Sequence, residues 1–201
     1  MLLRNMGIPP GSPIVCFHAR DNSFLNAYST IEDWAYHDYR DVDIDNYVPA
    51  IKELVARGYY AIRMGKVVKN FFSWNNPNVI DYAMSFRKSD FADMYLISRC
   101  NFYIGTACGL DSVAALFRKP QVVSNMTPMK YAFAWSLNYF YIFKRLWLIQ
   151  EKRFLTFREM IDSEVAGYLH LMQYKKAGLE VVDNTSEEIF DVVIEKEERM
   201  R

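Results

Sequence analysis

Charge of one sign is missing from this chain. Its 24 basic residues are matched by 24 acidic ones, so no bulk field exists to hold a nucleic acid, and none is expected as a partner. Cysteine is scarce: Cys16, Cys100 and Cys108 are odd in number and lack metal-ligand spacing. Cys16 and Cys100 lie in apolar runs, which reads as buried free thiols in a reducing, cytoplasmic compartment. Long hydrophobic runs are absent too. Residues 1–12 carry one arginine and no long apolar core, so no signal peptide is read there. Residues 131–149 are aromatic and apolar, but Ser136, Asn138, Lys144 and Arg145 interrupt them. A span needs about 20 predominantly apolar residues, so this stretch reads as a wall of the core or of a further domain. The alternative is a surface for peripheral contact at the inner face of a membrane, with Lys144 and Arg145 beside the aromatics. There is no internal repeat, no low-complexity segment and no complete phosphate-loop signature.

What is present is an ordinary soluble composition, 51% hydrophobic and 24% charged, with aromatics at 16%. At 201 residues the chain is long enough for one domain with a sizeable core. Gly7, Pro9, Pro10 and Gly11 punctuate residues 1–12, which suits a linker and implies that something once preceded it. Residues 13–201 are then the domain. Residues 13–17 (PIVCF) read as a buried strand ending at His18, Ala19, Arg20 and Asp21. A long polar and aromatic loop follows over 22–42, a length that is more often functional than accidental. Ser29 and Glu32 within it spell a capping box. Asp43 is expected to cap a helix over 44–57 with Tyr47, Ile51, Leu54 and Val55 on one face, closed by Gly58. A strand over 59–64 comes next, with Gly65 and Lys66 at its carboxyl end. A short strand over 79–83 and a helix from Ser89 or Asp90 to about Cys100 follow.

Residues 101–120 (NFYIGTACGLDSVAALFRKP) organise the chain. Residues 101–104 read as a buried strand, and 105–109 as a small-residue turn with two glycines and one hydroxyl. Beyond Asp111, Val113, Leu116 and Phe117 fall at helical spacing until Pro120 stops the pattern. That geometry either aims free N–H groups and a helix dipole at an anion or is a plain strand–helix junction. A strand over 121–124 ends at residues 125–128. Capping boxes at Thr156/Glu159 and Thr185/Glu188 open two further helices. Strand and helix alternate, so the class is α/β with a mainly parallel, Rossmann-like sheet and flanking helices. Such sheets hold ligands outside the carboxyl ends of their strands. His18 to Asp21, Gly65 with Lys66, and the turn from Gly105 to Ser112 should therefore converge. An arginine fork beside a helix N-terminus is what a diphosphate needs, and the same contacts stabilise charge on a leaving diphosphate.

With these residues the chain resembles a family. His18-Ala19-Arg20-Asp21 closing a strand is similar to the His-x-Arg element of fucosyltransferase-like enzymes with two Rossmann-like domains, the GT-B fold. The wider pattern covers nearly all of residues 13–195. It includes YHDYRDVDIDNYVPAIKELVARGYYAIRMGK, SDFADMYLISRCNFYIGTACGLDSVAALFRKP, VVSNMTP, RFLTFREM and NTSEEI. It resembles a family of bacterial surface-carbohydrate glycosyltransferases. The resemblance implies the C-terminal half of a GT-B enzyme, which binds a nucleotide-diphospho-sugar donor and, as part of a whole enzyme, passes its sugar to a surface glycan without a metal. No resident cofactor is implied. Arg20 carries over as the diphosphate ligand, and Gly105, Thr106, Gly109, Asp111 and Ser112 as the donor loop, to which Gly65, Lys66 and Cys108 are added by position. The departure is length, because the domain that helps hold the acceptor is not in this sequence.

Each candidate has a structural alternative. His18 is a site residue or a satisfied strand-end histidine. Asp21 is a base for the acceptor hydroxyl, a cap, or the partner of Arg20. Asp111 binds a hydroxyl or is a first-turn acid. Asp41 and Asp43 spell the DxD of metal-dependent glycosyltransferases, but they precede a helix, so capping explains them and no metal is expected. Arg40 meets substrate or pairs with Asp41. Two other functions stand beside the transferase: a non-catalytic nucleotide-sugar-binding module needing a separate acceptor-domain partner, and an epimerase of the same architecture, which has only the fold behind it.

Overall fold

The computed structural model describes residues 2–28, 34–86 and 88–201; the 29–32 capping box lies outside them. Helix α1 (Leu2–Asn5) precedes the first strand, and Ile8 behind it is only 2% exposed. The start read as a linker thus lies on the core. Strand β1 (Ile14–Phe17), α2 (Ser23–Tyr28), a 3-10 helix (Trp34–Arg40) and α3 (Val48–Ala56) follow. Next come β2 (Tyr60–Arg63), β3 (Val79–Ile80), α4 (Asp90–Arg99), β4 (Phe102–Gly105), α5 (Gly109–Leu116), β5 (Gln121–Met126) and β6 (Tyr139–Phe143).

These six strands form one sheet in the order β3-β2-β1-β4-β5-β6, and every neighbouring pair is parallel. Every residue of β1, β4 and β5 is buried, as expected of strands covered on both faces. One face carries α3 and the C-terminal helix α8 (Ser186–Glu198), with Tyr47, Ile51, Leu54 and Val193 fully buried. The other face carries α4 and α5, packed on Cys16, Ile62 and Tyr103. The strand order reverses between β1 and β4, and the loops leaving those two strands diverge to opposite faces and open a crevice.

Several elements differ from the sequence reading. The 44–57 helix opens as a 3-10 turn (Ile44–Tyr47), with Asp43 accepting the Asp45 N–H at 3.0 Å; Pro49 has no N–H to return to Asp45, so the α-helical ladder starts late. The 79–83 strand stops at Ile80, because Asp81 turns aside to accept from Arg63 and the Phe72 N–H at 3.1 Å each. Strand β5 runs on to Met126 through a bulge at Asn125, whose φ is +53°. The Asn125 and Asn184 backbone N–H groups each donate to the other's side-chain oxygen, at 2.6 and 2.7 Å. On α5 the inward residues are Asp111 and Ala114, while Leu116 is 76% exposed. Leu116 lies two residues, or 200°, round from Ala114, so the spacing found the helix and misassigned its buried face.

The aromatic stretch 131–149 yields β6 in the main sheet and β7 (Arg145–Leu148) in a second sheet. There β7 pairs antiparallel with β8 (Arg153–Phe154) and β9 (Leu179–Val182). Helices α6 (Phe157–Asp162) and α7 (Leu171–Lys176) cover it. Both capping boxes form as expected: Thr156 accepts from Glu159 N, and Thr185 from Glu188 N, each at 3.2 Å. Lys144 is buried between the sheets, donating to Asp183 at 2.6 Å and to the Asp41 carbonyl at 2.9 Å, so its ammonium is not free for lipid headgroups. Among the described residues no helix is long and apolar enough to cross a membrane.

Candidate functional site

The two central strands are tied together beyond their ends. The His18 N–H reaches the Ile104 carbonyl at 3.0 Å, and the Arg20 N–H reaches Thr106 Oγ1 at 3.0 Å. Thr106 is buried and acts as a bracket between the β1 and β4 exits. Arg20 is 8% exposed and pairs with Asp41; its Nη1 also donates to the His37 carbonyl at 3.3 Å. Arg40 donates to the Ala107 carbonyl at 2.7 Å. It does not pair with Asp41, which Arg20 has already taken. Asp21 likewise does not pair with Arg20: its two oxygens accept the backbone N–H groups of Ser23 at 2.8 Å and Lys69 at 3.0 Å.

Above these bonds lies a cleft of about 530 Å³. His18, Arg20 and Asp21 form its floor at the β1 exit, Gly65 and Lys66 enter from the β2 exit, and Cys108 and Gly109 from the start of α5. Three separate sequence segments therefore converge. The other expected residues support the cleft without lining it. Gly105 is buried, and glycine leaves room there for Tyr103, since an added Cβ would stand 2.8 Å from the Tyr103 hydroxyl. Asp111 Oδ1 accepts from Cys108 N at 3.1 Å and Ser112 N at 2.8 Å, the arrangement of a first-turn cap. Ser112 itself is exposed outside the cleft. Lys66 lines the rim and pairs with Asp90 at 2.9 Å.

The sequence reading singled out Arg40 as a substrate contact, but it missed Trp34 beside it and part of another wall. Trp34, His37 and Arg40 come from the 3-10 helix, which is held against α7 by Tyr39, buried among Leu146, Met160 and Tyr174 of the second sheet unit. The signals for it were the length and aromatic content of the 22–42 loop and the YHDYRDV run of the family pattern, which includes His37 and Arg40. Helix α4 contributes Asp93 and Met94, neither of which the sequence reading placed in the site. The side-chain atoms Trp34 Nε1, His37 Nδ1 and Arg40 Nε are buried without a hydrogen-bond partner. Unpaired buried donors carry a desolvation cost that a bound acceptor would relieve.

Charges in the cleft are mutually adjusted. Burial pulls the His18 imidazole down, but Cys108, the Met64 carbonyl and Asp21 outweigh it and hold it above its ordinary value. Burial raises the Cys108 thiol, yet the facing His18 brings it below the usual range. Burial lowers Arg20, with Asp41 opposing. Burial lifts Asp41 to about 6, against the pull of Arg20. The folded chain thus holds the Asp41 proton more tightly than the unfolded one. Its contribution favours folding below the ordinary carboxylate range and is lost as pH rises through about 6. The Asp41 carboxyl carbon is expected to titrate near pH 6 by NMR, and further up in Arg20→Ala, which removes the cation that lowers it. A midpoint of about 4 would contradict this.

Among the described residues no group of three or more His, Cys, Asp or Glu could hold a metal ion. The Asp41/Asp43 pair is consumed by the Arg20 ion pair and by capping. No family model matches the sequence, and no curated protein does. Among solved structures, E. coli ADP-heptose LPS heptosyltransferase II is similar with a TM-score of 0.53 at 16% identity, over 97% of this chain and 50% of that one. A dodecameric iron-containing heptosyltransferase, TibC, in complex with ADP-D-β-D-heptose, aligns at a TM-score of 0.46 and 13% identity, over 98% of this chain and 49% of that one. The chain spans about half the length of each of these structures. Likeness at this identity speaks to architecture, and by architecture this is an α/β, Rossmann-like domain of the kind that builds GT-B glycosyltransferases.

Proposed function

We propose that this chain is the donor-binding half of a metal-independent glycosyltransferase, taking a nucleotide-diphospho-sugar and serving transfer of the sugar to a surface glycan. The observation that carries this reading is the meeting of Arg20 and His18 with the start of α5 in one cleft at the strand-order reversal of a parallel sheet. At the start of α5 the Cys108 and Ser112 N–H groups are taken by Asp111 and that of Asp111 by the Cys108 side chain, so the N–H of Gly109, which lines the cleft, is the one that suits a phosphate oxygen. Arg20 supplies a guanidinium fork beside it. When the bond between the sugar's anomeric carbon and the diphosphate oxygen breaks, negative charge grows on the diphosphate, and these donors stabilise it. Arg40, anchored on the Ala107 carbonyl, adds a second cation to the same wall. Asp21 sits at the floor with both oxygens in backbone hydrogen bonds, which fix its position for accepting a proton from an acceptor hydroxyl.

A second reading rests on the same cleft. In it, this chain only binds the donor, and a separate acceptor-domain protein completes the reaction. Isothermal titration with UDP, GDP, ADP, CMP and dTDP tests what both share: one diphosphate is expected to bind below about 1 mM. No binding at millimolar concentration overturns both readings. Incubating the matching nucleotide-sugar with the chain alone then separates them, because released nucleoside diphosphate supports the catalytic reading and an intact donor supports the binding module.

A further inference from the structure

Cys16 and Cys100 are sealed in the core beneath α4, at 0% and 1% exposure, whereas Cys108 stands half-buried on the cleft wall. It precedes the first turn of α5 and faces the His18 ring. His18 Nδ1 lies 3.0 Å from the Met64 carbonyl. A carbonyl only accepts, so Nδ1 carries the ring proton and Nε2 keeps its lone pair for the thiol. From below comes Tyr103, fully buried, with a hydroxyl that finds no partner in hydrogen-bonding geometry and ends beside the sulfur. Arg20 contributes positive charge from the β1 exit. Asp111 on α5 opposes, but its Oδ1 is occupied by two backbone N–H groups. An imidazole, an unpaired hydroxyl and a helix N-terminus thus surround the one cysteine that a small solute can reach, the setting of reactive thiols.

We propose that Cys108 is a modification site: a nucleophilic thiol, with His18 as its base, that a peroxide entering the cleft oxidises to the sulfenic acid. His18 Nε2 takes the thiol proton, and the sulfur electron pair attacks one peroxide oxygen. The S–O bond forms as the O–O bond breaks, and the leaving hydroxide recovers the proton from His18 as water. Sulfur is oxidised and peroxide reduced. No second cysteine lines the cleft to form a disulfide with the product, so the sulfenic acid stays where an anionic ligand would approach. The chemistry requires no nucleotide, and its outcome is therefore separate from that of the donor-site reading.

The test treats the purified chain with hydrogen peroxide and then dimedone, mapping the adduct by peptide mass spectrometry. Iodoacetamide alkylation rates are measured alongside as a function of pH. Dimedone is expected on the Cys108 peptide while Cys16 and Cys100 stay unlabelled. Alkylation of Cys108 at pH 7 should run on the order of tenfold faster than that of free cysteine, with a pH midpoint below about 8.5. His18→Gln should slow the reaction and raise the midpoint, because burial then acts on the thiol without the facing imidazole. The proposal falls if the wild-type midpoint is at or above about 8.5, if Cys108 carries no dimedone, or if folded His18→Gln alkylates like wild type.

Discussion

Arg20→Ala is expected to weaken nucleoside diphosphate binding by roughly tenfold to 150-fold, the equivalent of about 1.5–3 kcal/mol for a charge-assisted contact. The cause is local. Arg20 Nη1 is committed to Asp41 and the His37 carbonyl, which holds the guanidinium on the cleft floor. A guanidinium carries five N–H donors, so the remaining ones can grip phosphate oxygens without giving up that anchor. Arg20→Lys keeps the charge and loses the fork, so it should recover only part of the affinity. Binding of the bare nucleoside, which has no phosphate, should change little in either variant. Calorimetric titration of folded protein decides the matter. An unchanged Kd for the diphosphate in Arg20→Ala would remove Arg20 from the site, and an equal loss for nucleoside and diphosphate would mean that the cleft itself had deformed.

Gly65→Ala is expected to cost about 2–5 kcal/mol of stability through two separate effects. The residue has a φ of +149°, a region that essentially only glycine occupies, and strain of this kind costs about 1–3 kcal/mol. An added Cβ would also stand 2.6 Å from Val68 Cγ1, with Ala83 Cβ at 3.4 Å and His18 Nδ1 at 3.5 Å behind it. Valine is stiff at χ1 and cannot swing away cheaply, so the backbone must shift. For a chain of this size the melting temperature should fall by roughly 4–20 °C. Gly178→Ala is the control: its φ is +68°, but nothing lies within 4 Å of its Cβ position, so its loss should be distinctly smaller. Equal melting points for the two variants would refute the close approach. Because the displaced neighbours include the Met64–His18 hydrogen bond, Gly65→Ala should also slow Cys108 alkylation.

Much of the sheet could be read from the chain because β1 and β4 are unbroken apolar runs followed at once by small or polar residues. Such a pattern has few alternatives in an alternating α/β sequence. The caps were equally legible: Asp43, Thr156 and Thr185 act on backbone groups two or three residues away, so their chemistry is complete within the local sequence. The second sheet was not legible. Its strands β7 and β9 are separated by about thirty residues, and neither shows that it pairs with the other until both are placed. Tyr39 was not separable from its neighbours either, since what buries it comes from residues 146–179.

The stretch 101–120 shows the same division within one motif. By itself the sequence determined a strand, a small-residue turn and a helix, together with the fact that Arg20 closes the other central strand. Both rest on local backbone preference and on apolar runs, which act over a few residues. Only the tertiary structure decided what each residue of that turn does. Cys108 and Gly109 face the cleft, Thr106 ties the two strand exits, Gly105 makes room for Tyr103, and Asp111 turns back on its own helix. The choice of Asp41 over Asp21 as the partner of Arg20 was decided there too. Ion pairing depends on distance and burial across segments brought together by folding, and neither is written in the spacing of residues along the chain.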